Sequence, residues 1–169
     1  MKRIMYFAQS LPIIEHIASE GNMMNSNQKQ GSEALAAINA LFPEADIMTP
    51  AGYLSAVRKG VSGETLRTIV NAVGESEVIA KTIGNDVSIL SKSYQLKRLS
   101  PIASDNLIGT LRVYVRAIMI YESVDVAKEW MNTSIPALGG EIPISLLDTH
   151  AGRELVHLTL RRIEAGEYV

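Results

Sequence analysis

Apolar residues recur along this chain at the three- and four-residue spacing that is typical of amphipathic helices. The first such set, which follows Ser32 and ends at Pro43, is Leu35, Ile38, Leu41 and Phe42. Strict alternation of apolar and polar residues, the sign of a half-buried strand, is almost absent. The pattern therefore predicts an all-α protein, with further helices around residues 50–59, 63–73, 75–83, 86–96, 101–121, 125–132 and 149–165.

Residues that favour helix ends lie at the borders of these segments. Ser32, Ser100, Asp125 and the pair Asp148-Thr149 are predicted N-terminal caps, and Pro101 fits the first position of the helix that follows Ser100. Glycine tolerates the left-handed backbone that ends many helices. Glycines are expected to end four of the helices, at Gly60, Gly74, Gly84 and Gly166.

Composition shifts along the chain predict three regions. Residues 22–32 are polar and rich in Asn and Gln, so residues 1–31 are expected to be a flexible leader. Residues 32–121 are then a helical region, and residues 122–169 a smaller helical domain. Lys2-Arg3 and the apolar run after them resemble a signal peptide, but polar residues interrupt the run early. Nothing approaches the roughly 20 apolar residues of a membrane span, so we expect a cytoplasmic protein that does not bind a membrane.

The residue types available restrict the possible chemistry. The 169 residues include no cysteine and three histidines, which excludes disulfides, thiolate metal sites and a cysteine nucleophile. His150, Glu154 and His157 lie at helical spacing and are a candidate zinc set. Their order matches no recognised hydrolase motif and no fourth ligand is evident, so a packed or solvated helix face is the favoured interpretation. We predict neither a metal nor a cofactor.

Charge is distributed unevenly. Residues 53–116 carry nine basic and five acidic side chains, whereas residues 117–169 carry four basic and eight acidic side chains. Random scatter can produce such a difference. A basic middle nevertheless suits a polyanion, and an acidic end suits a different, cationic partner.

Residues 76–95 have the spacing of a helix-turn-helix. Ala80 is small where a second helix would cross, Gly84 lies at the turn, and Leu90 is placed to pack on Ile79 and Ile83. The same pattern occurs in plain helix hairpins. If the segment binds operator DNA, its outward residues are Ser88, Ser91, Lys92 and Gln95, followed by Lys97 and Arg98.

The segment from Pro101 to Tyr121 carries a wide apolar stripe. Such a stripe is typical of a core helix or of a dimer seam, and a homodimer would suit a helix-turn-helix protein because two half-sites multiply affinity. The stripe consists of Leu107, Leu111, Tyr114, Val115, Ile118 and Tyr121.

The last forty residues carry the most distinctive motif. Trp130 is followed by the run Pro136 to Gly140, whose two glycines predict a sharp bend, and then by Pro143 and an amphipathic helix that ends at Gly166. With Leu146-Leu147, Thr149, Gly152, Arg162 to Glu164 and Tyr168, this run resembles the Xre/MbcA/ParS toxin-binding domain. From about residue 52 onward the chain resembles the Xre-type antitoxins of RES–Xre toxin–antitoxin pairs, through Val57 to Gly60 and Arg98 to Pro101 among others.

The resemblance implies a non-catalytic inhibitor. Members of this family repress their own operon through the helix-turn-helix and bind a RES toxin, which consumes NAD or transfers ADP-ribose from it, through the C-terminal end. Carried onto this chain, the toxin-binding residues are Leu138, Gly139, Gly140, Arg161, Arg162, Glu164, Gly166, Glu167, Tyr168 and Val169. The alternative is a stand-alone helix-turn-helix regulator whose C-terminal domain binds a ligand or another protein.

Overall fold

The computed structural model describes residue 32 and residues 35–167, and all regular structure in these residues is helical. The protein is therefore all-α, as the apolar spacing predicts. Short 3-10 turns lie at Val87–Ile89, Pro136–Leu138 and Pro143–Leu146. Helix α1 includes residues 35–40 and is followed by α2 (Pro50–Lys59), α3 (Gly63–Val73), α4 (Ser76–Thr82), α5 (Leu90–Ser93), α6 (Pro101–Tyr121), α7 (Val124–Met131) and α8 (His150–Glu164).

Most predicted helix ends are confirmed. The hydroxyl of Ser100 accepts a hydrogen bond from the Ala103 amide and caps α6. Thr149 caps α8 in the same way. The predicted glycines all adopt positive φ angles at or next to the ends of their helices, Gly60 at 76°, Gly74 at 79°, Gly84 at 76° and Gly166 at 78°.

Two predicted caps are wrong. Ser32 itself has helical geometry, whereas an N-cap residue lies outside the helix. Helix α7 is capped by Ser123, whose extended backbone brings its hydroxyl to the amide of Val126. Asp125 lies two residues after Ser123, in the first turn of the helix, where a carboxylate still complements the helix dipole.

Helix α6 is the centre of the molecule and packs against α2, α4, α7 and α8. Its predicted stripe is buried within the chain, apart from the half-buried Tyr121, so these residues form core and not a dimer seam. The buried apolar side chains make one continuous cluster that extends from Ile38 to Ile163. This core therefore spans the predicted boundary after residue 121.

The second helix of the predicted helix-turn-helix, residues 76–95, is shorter than the predicted range 86–96. A 3-10 turn capped by Asp86 precedes α5, which ends at Ser93. The chain then returns to α3, where the carbonyl of Leu96 accepts a hydrogen bond from the Gly63 amide. This tertiary contact ends the helix before residue 96. None of the described helices is long and apolar enough to cross a membrane.

Candidate functional site

Helix α8 is held against α6 from its first turn. The Thr149 hydroxyl accepts from the Gly152 amide at 3.0 Å and so fixes the start of the helix. Val156, Leu160 and Ile163 are at most 4% exposed and face the core. Because the inner face is fixed in this way, the residues on the outer face are held in a defined position.

Arg153 adds a buried cation to this contact. Its Nη1 donates to the carbonyl of Leu147 at 2.8 Å and its Nη2 donates to Oδ1 of Asn106 at 2.7 Å. Burial lowers the pKa of the guanidinium, because the charged form loses its hydration. Gly109 leaves the necessary room, since a Cβ there would lie 3.1 Å from Nε of Arg153. Sequence analysis missed this residue, although its spacing from Val156 and Leu160 places it on the inner strip of α8.

A second polar network joins α2 to the same contact. The Tyr53 hydroxyl donates to the carboxylate of Asp105, and the Arg112 guanidinium lies 4.4 Å from the centre of the Tyr53 ring. Burial and the neighbouring carboxylate raise the pKa of Tyr53 to about 12. The phenol is therefore neutral at physiological pH and acts as a donor that ties α2 to α6.

His157 faces this network from α8. Its pKa is lowered to about 4, first by burial and then by the positive charge of Arg112, with smaller effects of the same sign from Arg116 and Arg161. The carboxylate of Glu154 raises the pKa of His157 but does not offset these effects. His150 and Glu154 are exposed on the same helix. Among the described residues, no group of three histidine, aspartate or glutamate side chains is arranged to hold a metal ion.

The outer face of α8 carries two leucines that sequence analysis did not include in the site. Leu155 is 42% exposed and Leu158 is 40% exposed. Arg161 and Arg162, both predicted site residues, are exposed one turn further along the helix. The signal was available in the sequence, because Leu155 and Leu158 lie outside the inner strip formed by Val156, Leu160 and Ile163.

The chain leaves α8 after Glu164, and residues 164–167 are exposed. Glu164 forms an ion pair with Arg116 at 2.7 Å, whereas Glu167 reaches Nε of Arg162 at 3.9 Å. Gly166 turns the backbone away from the helix axis with a φ of 78°. Tyr168 and Val169, the last predicted site residues, lie outside the residues that the structure describes.

The predicted bend before α8 is present. Gly139 and Gly140 are exposed with φ angles of 72° and 85°, and the Gly140 amide donates to the carbonyl of Ile135 at 3.1 Å. Leu138 differs from its prediction as a toxin contact. Its side chain is 5% exposed and belongs to the core, so the part of this loop that a partner can touch is the glycine bend.

The predicted DNA-binding side chains are all exposed. Ser88 lies in the 3-10 turn, Ser91 and Lys92 lie on α5, and Gln95 lies in the turn that follows. The Asp86 carboxylate accepts from the Ser88 amide at 2.8 Å, and interactions with first the side chain and then the amide of Ser88 lower the pKa of that carboxyl. Lys97 and Arg98 lie beyond α5 and border a cavity with the end of α2.

Comparison with known proteins places α8 within a region that matches a known protein domain. Residues 116–166, from the last part of α6 to the turn after α8, match the antitoxin Xre/MbcA/ParS C-terminal toxin-binding domain. The chain is 26% identical over 131 residues to a protein of Sphingobium sp. (strain YBL2) named Prs ADP-ribosylating antitoxin, in an alignment that covers 71% of this chain and 82% of the relative. Residues 116–166 are thus similar to the toxin-binding domain of the Xre/MbcA/ParS antitoxins, and both similarities indicate a non-enzymatic antitoxin.

Proposed function

We propose that the toxin is a RES-type enzyme that consumes NAD, and that this antitoxin inhibits it by closing the active-site cleft with its C-terminal segment. The observation that carries the proposal is the outer face of α8, where Leu155 and Leu158 are exposed beside Arg161 and Arg162. Apolar contacts with a charged rim are typical of protein interfaces. This face lies inside the matched domain and leads directly to the chain end.

The chemistry of the chain end supports occlusion of a nucleotide site. Glu167 gives the segment after α8 a carboxylate, and an enzyme that binds the pyrophosphate of NAD must offer hydrogen-bond donors in its nucleotide site. The 3.9 Å contact between Glu167 and Arg162 is an exposed pair of the kind that contributes little, so Glu167 is free to exchange partners. Gly166, Gly139 and Gly140 supply bends that let neighbouring backbone follow the toxin surface.

The reaction that the toxin catalyses is proposed to be transfer of ADP-ribose. The name of the Sphingobium relative joins "ADP-ribosylating" to "antitoxin". Transfer and hydrolysis both break the bond between nicotinamide and ribose in NAD, so a plug in the nucleotide site blocks either one. The name favours transfer over hydrolysis.

We also propose that the protein represses its own operon as a homodimer in the cytoplasm. The supporting observation is that Ser88, Ser91, Lys92, Gln95, Lys97 and Arg98 are all exposed around α5. Hydroxyl and amide groups can contact base edges, while lysine and arginine neutralise phosphates. A four-residue α5 presents fewer side chains to a groove than the longer helix predicted from sequence, so phosphate contacts carry a larger share of the affinity.

Co-expression with the toxin encoded beside this chain tests the inhibition. We expect the pair to co-purify, and NAD loss and toxicity to be suppressed only when the antitoxin is present. Leu155→Lys combined with Leu158→Lys should abolish co-purification, because two charges replace the apolar centre of the interface. Ile102→Lys is the matched control, since Ile102 is 76% exposed but lies outside the matched domain.

Removal of residues 167–169 separates docking from occlusion. This truncation leaves the buried Ile163 and the Arg116–Glu164 ion pair in place. The shortened chain should still bind the toxin but no longer suppress NAD loss. Full inhibition by the shortened chain would overturn the occlusion mechanism, and unchanged binding by the double leucine variant would overturn the assignment of the α8 face.

A further inference from the structure

A cavity of about 290 Å³ lies between the turn after α1, the end of α2 and the start of α3. None of its lining residues belongs to α8. Its basic lining residues are Lys59, Lys97 and Arg98, and its acidic lining residue is Glu44. Lys97 and Arg98 are exposed, so a ligand can reach the cavity from solvent. Sequence analysis singled out Lys97 and Arg98 for DNA but gave no role to Lys59.

The charges around this cavity are unbalanced. Lys59 donates to Oε2 of Glu44 at 2.8 Å, and this contact lowers the pKa of the Glu44 carboxyl. In the part of the chain that the structure describes, no carboxylate pairs with Lys97 or Arg98. Three cations against one carboxylate leave an excess of two positive charges. Such an excess around a concave surface attracts an anion.

Arg98 is already positioned along the wall of the cavity. Its side chain lies against the backbone of Gly60, where a Cβ would come within 2.6 Å of Cδ and 2.9 Å of Cγ. A guanidinium whose stem is held in this way loses less conformational entropy when it binds a ligand. The hydroxyl-bearing residues Ser55, Ser62 and Thr65 also line the cavity and add hydrogen-bonding capacity.

We propose that this cavity binds a phosphate group, and that in the complex with DNA it holds a phosphate of the backbone. Paired guanidinium and ammonium groups with hydroxyls nearby suit the tetrahedral oxygens of phosphate. The volume is just below the range of about 300–1,000 Å³ that drug-sized ligands occupy, which fits a phosphate with part of its sugar. The second half of this proposal rests on the DNA-binding part of the proposed function, and the first half does not.

Titrations with inorganic phosphate, with pyrophosphate and with a short DNA duplex, all on the full chain, test the proposal. Arg98→Gln and Lys97→Gln should each weaken binding about fivefold, and each should lower the salt slope of duplex binding by about 1. Glu44→Gln should tighten binding about twofold, because it removes the one anion and frees Lys59. Arg58→Gln is the matched control, since Arg58 is exposed on α2 but does not line the cavity.

The two sources of phosphate are distinguished by competition. If phosphate and the duplex compete, and the variants change both affinities in the stated directions, both halves of the proposal hold. If phosphate binds with this variant pattern but the duplex does not bind, the cavity is a free-phosphate site and the DNA-binding part of the proposed function fails. If the duplex binds equally well to the Arg98→Gln and Arg58→Gln variants and phosphate does not compete, the cavity proposal is overturned while DNA binding stands.

Discussion

Arg153 is a buried cation whose hydrogen bonds go to two neutral acceptors, the Leu147 carbonyl and the Asn106 amide oxygen, and these bonds offset part of its cost of burial. Arg153→Met leaves the Leu147 carbonyl and the Asn106 amide oxygen without this donor, which should lower the free energy of unfolding by about 1–3 kcal/mol. Arg153→Lys should recover little of this free energy, because a single ammonium group cannot reach both acceptors as the planar guanidinium group does. Urea denaturation measures these changes. Arg161→Met, on the exposed face of the same helix, should stay within about 0.5 kcal/mol of wild type.

His157 makes stability depend on pH below neutrality. Its pKa is about 4 in the folded protein and near 6.5 when it is solvated, so the unfolded chain binds the extra proton between these values. The contribution of neutral His157 is therefore complete above about pH 6.5 and is lost as the pH falls toward 4. The wild-type protein should lose unfolding free energy between pH 7 and pH 4, and His157→Gln should make this loss smaller by roughly 2 kcal/mol. This value allows for partial screening of the histidine by solvent.

Urea denaturation of both proteins across this pH range measures the His157 effect. His150→Gln is the matched control, because His150 is exposed on the same helix. A wild-type pH dependence that survives in the His157→Gln variant would show that carboxylates, and not this histidine, account for it.

Gly63 determines how α3 meets the segment after α5. A Cβ at this position would lie 2.4 Å from the Tyr94 carbonyl oxygen and 2.5 Å from that of Ser93, so the two backbones can approach only at a glycine. Gly63→Ala should therefore cost at least about 2 kcal/mol and weaken the bond from the Leu99 amide to the Val61 carbonyl. Hydrogen exchange at the Leu99 amide measures the local effect. Thr68→Ala, exposed on the same helix, should leave that exchange unchanged.

The sequence predicts a helix end well when local residues mark it, and poorly when a tertiary contact such as that of Gly63 determines it. Ser100 and Pro101 mark the start of α6, and glycines mark the ends of α2 and α3. The predicted ranges of these three helices match the structure. The end of α5 depends on a tertiary hydrogen bond to Gly63, which local sequence does not encode. The cap of α7 is Ser123 and not the predicted Asp125, because both residue types can cap helices and backbone geometry decides which one does.

At the scale of the molecule, the sequence predicts which polar residues near the C-terminus are exposed better than it predicts which leucines are. The motif that ends the chain identifies Arg161, Arg162 and the glycine bend, all of which are exposed. It does not distinguish Leu138, which is buried, from Leu155 and Leu158, which are not. Exposure depends on how α8 packs on α6, and that packing involves residues about fifty positions apart.

The continuous core predicts that both parts of the chain unfold together. Leu66 in α3 is fully buried, and Trp130, the single tryptophan, lies across the predicted boundary in α7. Leu66→Ala should lower the free energy of unfolding by about 2–5 kcal/mol. Because one cluster joins these residues, Trp130 fluorescence and far-ultraviolet circular dichroism should shift to the same lower urea midpoint. Leu54→Ala, at a position that is 49% exposed, should shift neither signal by much.

A circular dichroism midpoint that falls while the Trp130 midpoint stays in place would mean that the two regions fold independently. In that case residues 122–169 would be stable without residues 32–121, whereas a shared transition makes each region's stability depend on the other.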